Sequence, residues 1–329
     1  MSLLGLGAFQ SYGNPVDVSA WVLIVPLSLL AVNLASAILT NSKINQQPGL
    51  LIFHVCLLSI VILAGIGRLT HLDAHIEMAE GQEFEPGALL DVKKGPLHSG
   101  AIEKVKFEQG TYTVEYSEGL RRGITHDIVK LPRANGEREV IEVGDDRPLV
   151  LEKYRFYTTH NKGFSAIVTW LAHGQAPITG RINMPSYPLF DYKQDNSWQA
   201  PDGTELKLWL QLKTGMTEDA AWVLDGKNAK GKLVVTHGQH GEQRTELNIG
   251  ESVKVGGGEL RYEHLSTWMG YRVFYDPTIK WMFFVSIAGV FGLMHYFWKK
   301  LNLQAWENEE ITQPQTKPTK PGALSGRGA

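Results

Sequence analysis

Three uninterrupted apolar runs decide what this chain can fold into. The first, Ala20–Thr40 (AWVLIVPLSLLAVNLASAILT), carries no charge over its whole length. A bilayer core near 30 Å needs roughly 20 apolar helical residues, so this run is long enough to cross. The second, residues 50–67 (LLIFHVCLLSIVILAGIG), is at the short end of that range. The third, residues 281–298 (WMFFVSIAGVFGLMHYFW), has aromatic residues at both edges, as a membrane–water interface favours. Helices are the expected form, because hydrocarbon offers unpaired backbone groups no partner. A mean hydropathy of −0.15 hides the runs, since the polar residues are gathered between the second and the third.

Ala35-Ser36-Ala37 has the small-x-small look of a processing site. A signal peptide also needs a positive n-region, and residues 1–20 contain no Lys or Arg and one acid, Asp17. The first run is therefore expected to stay as a span. Lys43 lies between runs one and two, and Lys299 and Lys300 close run three. Placing both sites in the cytoplasm satisfies the positive-inside rule, puts the N-terminus outside and leaves Arg68 as a mild exception. The expected order is an outside segment (1–19), span one (20–40), a cytoplasmic loop (41–49) and span two (50–67). A large extracytoplasmic domain (68–278) follows, then span three (279–298) and a Pro/Gly/Thr-rich cytoplasmic tail (299–329) expected to be disordered.

The large domain reads as antiparallel all-β, sandwich- or barrel-like. Short alternating runs recur, among them KVKFE (104–108), TYTVEY (111–116), VLEKYRFY (150–157), AIVTWL (166–171), ELKLWLQL (205–212) and YRVFY (271–275). Turn signals such as Asn135-Gly136, Asp202-Gly203, Asp225-Gly226 and Gly256-Gly257-Gly258 separate about eleven of them. Between Thr70 and Thr278 there are 24 basic and 30 acidic residues. That acidic balance, with −2 overall, excludes a basic nucleic-acid-binding surface as the main function. One cysteine excludes a disulfide framework and a Cys-rich zinc site, and the absence of Cys-x-x-Cys-His excludes a covalent c-type haem. No Walker loop, HExxH or Ser-His-Asp order occurs, so no self-contained active site is expected.

His54 is the most informative residue. It lies four positions into run two, about 6 Å inside its edge, and an ionisable group inside a span is by default a functional candidate. Neutral imidazole is a standard haem ligand; a histidine near a helix end also bonds neighbouring helices or headgroups, and spacing leaves both readings open. His295 falls at similar depth in run three and is a candidate second ligand, with placement in the aromatic belt as the competing reading. Cys56 lies about 200° around the helix from His54, so the two cannot share a ligand. His237 and His240 fit loop histidines better than a metal site, and His71 and His75 flank Asp73 beyond span two.

The stretch FHVCLLSIVILAGIGRLTHLDAHIEMAEGQEF (53–84) resembles the ResB-like family of cytochrome c biogenesis proteins. The resemblance rests on His54 near the start of a span, Arg68 at its exit, and Glu80-Gly81 opening the outside domain. Asn33-Leu34 looks like the family's Asn-Leu in the preceding span. Gly270 to Asp276-Pro277 looks like its closing signature before the last span. The resemblance implies a non-catalytic subunit of a system II complex in the bacterial cytoplasmic membrane, with the large domain on the outer side. Together with a CcsA-type multi-span partner, it would deliver haem b for attachment to apocytochrome c. It gives His54 the role of axial ligand to a transiently held haem, with the second ligand on the partner. Two departures stand out: many family members have four spans, and this chain carries no fused partner domain. Two other readings remain open: a membrane-anchored β-scaffold for an envelope protein with no haem, and an intrachain haem site using both His54 and His295. Whether an outside histidine such as His264 takes part is left open by the sequence.

Overall fold

The computed structural model describes residues 20–312 apart from 134, 173, 175, 214–215 and 239–242. The expected N-terminal segment, the end of the tail and His240 lie outside the described residues. The chain divides into a helical unit, on either side of the sequence, and a β-unit comprising Leu69–Pro277.

The helical unit contains α1 (Ala20–Thr40), a single turn α2 (Ser42–Asn45), α3 (Pro48–Thr70) and α4 (Ile279–Thr312). Three of these are long and apolar enough to cross a membrane. Asn41 caps α2 by accepting from the Lys43 N–H at 3.0 Å. Pro48 opens α3, where its missing N–H costs nothing. The helix therefore starts two residues before the hydropathy boundary and runs three beyond it. Glycine brings α3 and α4 together: a Cβ on Gly49 would lie 2.6 Å from Gly292 O and 2.7 Å from Tyr296 N. One on Gly292 would meet Ile52, and one on Gly289 would meet Cys56. Small residues that let backbones approach are how helices pack in lipid, where no hydrophobic force drives them together. Helix α4 continues to Thr312, so the first part of the segment expected to be disordered is helical.

Among its described residues the β-unit holds three antiparallel sheets and no closed barrel. Its spine is a pair of long strands, β7 (Tyr154–Ala172) and β15 (Gly258–Tyr275), hydrogen-bonded along nearly their whole length. At about 3.3 Å per residue each is roughly 60 Å long, enough to carry two further sheets. Strand β1 (Leu72–Ala79) flanks the C-terminal half of β15 and β2 (Leu90–Lys94) flanks β1; β14 (Ser252–Val255) flanks the N-terminal half. On the other edge, β6 (Leu149–Leu151) and β8 (Ile178–Asn183) pair with β7.

The second sheet runs β11 (Trp222–Asp225), β3 (Glu108–Ser117), β4 (Arg121–Pro132), β5 (Arg138–Val143). It meets the spine where Tyr112 Oη donates to Gly163 O at 3.0 Å. The third sheet runs β13 (Gln243–Leu247), β12 (Gly231–His237), β10 (Glu205–Leu212), β9 (Asp195–Gln199), and reaches the spine through the Trp170–Trp198 ring contact. Inward residues of all three sheets form one contiguous core, including Tyr154, Phe156, Trp170, Leu208 and Val235.

Several strand expectations need correction. Residues 104–107 precede β3 as a 3-10 turn and irregular chain, so KVKFE is not a strand. VLEKYRFY is two strands, because Glu152 and Lys153 both take positive φ (50° and 73°) and form a two-residue hairpin turn. The runs around 154–157 and 166–171 join into β7, and those around 259–263 and 271–275 join into β15. Among the described residues fifteen strands stand where about eleven were expected.

Candidate functional site

Two places hold ionisable groups in apolar surroundings. The first is α3. His54 is half-buried six residues into the helix, and its Nδ1 lies 2.8 Å from Leu50 O. A carbonyl oxygen only accepts, so Nδ1 carries the proton and the lone pair of the neutral ring sits on Nε2. Among the described residues Nε2 has no hydrogen-bond partner. A ligating histidine held in this tautomer by a backbone carbonyl is the arrangement metals favour. The orientation of His54 is thus one in which Nε2 would be able to hold an iron.

His295 does not join it. The α3 face turned to α4 carries Gly49, Ile52 and Cys56, and His54 lies about 200° round from Cys56, on the far side of the helix. His295 instead lines a pocket of about 330 Å³ with Gln47, Pro48, Gly49, Tyr296, Lys299 and Lys300. Buried Cys56 packs against Gly289, as expected of a small apolar residue.

The resemblance residues take identifiable structural places. Gly81 has φ +79 in the turn after β1. Gly270 sits where β15 meets an excursion of β7, and a Cβ there would come 2.6 Å from Asn161 O. Glu80 Oε2 lies 3.5 Å from the hydroxyls of Ser266 and Thr267. Arg68 falls in the last turn of α3, and Asp276-Pro277 directly precedes α4. Asn33 is exposed midway along α1 and has no recorded side-chain partner among the described residues. Among the other histidines, His237 ends β12 and His264 is exposed on β15. No group of three or more His, Cys, Asp or Glu suited to a metal occurs among the described residues.

The second place is the contact between the spine and the second sheet, which the sequence did not reveal. Buried Asp127, Gln109 and Tyr271 form a closed ring there. Gln109 Nε2 donates to Asp127 Oδ1 at 2.7 Å, and Tyr271 Oη meets both Gln109 Oε1 at 2.5 Å and Asp127 Oδ2. A phenol has one proton and an amide oxygen none. If Tyr271 donates to Gln109, the proton between Tyr271 and Asp127 belongs to the carboxyl. Burial agrees, pushing the Asp127 carboxyl up to about 7. Nearby, burial and then the Arg122 guanidinium pull the Lys162 ammonium down to about 7. The missed signal was the polar stretch Thr158–Lys162, which interrupts the inward apolar row of β7.

Comparison with family models and with curated proteins gave no match to this chain.

Proposed function

We propose that the chain is a haem-handling membrane subunit of a cytochrome c assembly complex, as its resemblance to the ResB-like family implies. The observation that carries the reading is the His54–Leu50 hydrogen bond, which leaves Nε2 as an unused donor atom inside an apolar helix. A neutral, oriented nitrogen in a span is costly without a partner, and haem iron is a suitable one.

Each residue then has a defined task. The Leu50 carbonyl holds the His54 ring in one tautomer, and Nε2 would be the atom that holds the iron. Bound haem b supplies that iron and the vinyl groups that later join apocytochrome c. The Gly49–Gly292 contact occupies the opposite face of α3, so His54 stays open to a second membrane protein. That protein, of CcsA type, would supply the other ligand to the iron. Asn33 supports such a partner, since an exposed amide in mid-span gains by bonding across to another helix. The positive charges at Lys43, Lys299 and Lys300 support an orientation with the β-unit outside, as a scaffold for partner or apocytochrome. No chemistry is assigned to this chain alone.

The test is maturation of a reporter c-type cytochrome by the chain co-expressed with its partner. His54→Ala is expected to cut the yield at least tenfold at equal membrane abundance. Unchanged yield overturns the reading.

A further inference from the structure

Lys162 has no task in the haem reading and, among the described residues, no hydrogen-bond or ion-pair partner for its ammonium. It is 1% exposed. Among the described residues its Nζ has neither a hydrogen-bond acceptor nor a carboxylate at ion-pair distance; what it has is the Tyr116 ring, 5.7 Å from Nζ to the centroid. Interiors rarely leave an ammonium so placed, because desolvation without compensation costs several kcal/mol.

The backbone holds it there deliberately. Lys162 pairs with Met269 and Thr158 with Tyr271, so Gly270 alone stands opposite residues 159–161. Side chains pin this bulge: Thr159 Oγ1 donates to Gly270 O at 2.8 Å, and Asn161 Nδ2 donates to Glu77 Oε1 at 2.6 Å. Bulges re-aim side chains and are frequent beside functional sites. Both Met269 and Tyr271 are buried, so Thr158 and Lys162 share their inward side.

The groups facing Lys162 are rich in donors. Arg122 is 11% exposed in its side chain. Its Nε and Nη2 go to Thr125 Oγ1 at 3.1 and 2.7 Å, and Nη2 also reaches Asp145 Oδ1. Nη1 has no acceptor among the described residues. Thr158 Oγ1 donates to the same Asp145 oxygen at 2.9 Å. Arg122 and Thr158 both engage Asp145, which leaves Lys162 without a carboxylate at ion-pair distance among the described residues, and exposed His160 adds a further titratable group to the same cluster. Asp145, at 41% side-chain exposure, forms the solvent edge.

We infer that Lys162 and Arg122 form a binding site for a small oxyanion, a phosphate or carboxylate group, reached past Asp145. The ligand's oxygens accept from Lys162 Nζ and Arg122 Nη1. An oxyanion suits this pair better than a halide, since its separate oxygens can accept from Lys162 Nζ and Arg122 Nη1 at the same time.

The probes are inorganic phosphate and acetate, added to the detergent-purified full chain at constant ionic strength against chloride, with unfolding of the β-unit read by tryptophan fluorescence. At ten times Kd the wild type is expected to gain about 4 °C in Tm. A response to phosphate alone assigns a phosphoryl ligand, and a response to acetate as well assigns a general carboxylate or phosphate site. Lys162→Met keeps the volume without the charge and loses the gain. Arg122→Lys keeps the charge without the Nη1 donor and weakens binding about tenfold, giving a second test where Lys162→Met does not fold. A wild-type Tm that neither anion moves beyond chloride overturns the inference, as does a full gain retained by Lys162→Met or, if that variant does not fold, by Arg122→Lys.

Discussion

The two units of this chain treat their apolar surface in opposite ways. In the β-unit, Tyr154, Phe156, Phe164 and Leu208 are sealed from solvent, and the Asp127 ring closes its own hydrogen bonds. In the helical unit none of the α1 span is buried, and the α3 and α4 spans are each only 11% buried. Among the described residues of that helical unit, Asn33 and His54 Nε2 have no hydrogen-bond partner. A unit that completes its own core is a self-sufficient scaffold. A unit that leaves apolar faces and two polar groups open suits a bilayer and, in the proposed reading, a partner protein.

The largest expected effect tests the self-sufficiency of the β-unit. Phe156 is fully buried against Phe84, Phe107 and Tyr271. Phe156→Ala should cost about 3–5 kcal/mol in denaturant unfolding of the β-unit while leaving membrane insertion intact. Loss of insertion as well would join the two units into one cooperative structure.

The next concerns pH. The Asp127 carboxyl is raised from an ordinary 3.8 to about 7, so its stabilising share is complete below pH 4 and is lost as pH rises toward 7. The Lys162 ammonium is lowered from 10.5 to about 7, so its share is complete above pH 10.5 and is lost as pH falls toward 7. Together they place a minimum of β-unit stability near neutrality, with each limb on the order of 4 kcal/mol. Asp127→Asn should flatten the acid limb and Lys162→Met the alkaline one, as read from denaturation midpoints between pH 4 and 10. A midpoint unchanged by pH in both variants and the wild type would remove the contrast.

A smaller effect belongs to α1. Asn33→Leu should weaken association with the membrane partner by about 1 kcal/mol, roughly fivefold, without changing the fold of this chain. Co-purification from mixed detergent measures it, and an unchanged yield would leave α1 facing lipid alone.

The units also differed in how far the sequence revealed them. Spans are set by composition over about 20 residues, a local property, so all three were legible with their ends off by a few positions. The β character was legible from alternation, but the lengths of β7 and β15 were not. Thr158 to Gly163 is polar and glycine-bearing, which reads as a loop, and only pairing with β15 keeps it in a strand. The Glu152-Lys153 turn carries no glycine or asparagine to announce its positive φ. Strand β4 escaped notice because its charges mask the inward Thr125, Asp127 and Val129. The Lys162 cluster was illegible for a related reason: Tyr116, Arg122, Asp145 and Lys162 meet through sheet packing. His54 differs, since its Leu50 partner is one helical turn away and follows from the helix itself.

The central claim is that His54 Nε2 ligates haem held with a membrane partner. The most direct measurement is the optical absorption of the co-purified complex, comparing wild type, His54→Ala and His295→Ala. Wild type and His295→Ala should show the Soret and visible bands of low-spin bis-imidazole haem, and His54→Ala should lose them at equal complex yield. An unaltered spectrum in His54→Ala, or the absence of haem from the wild-type complex, would contradict it.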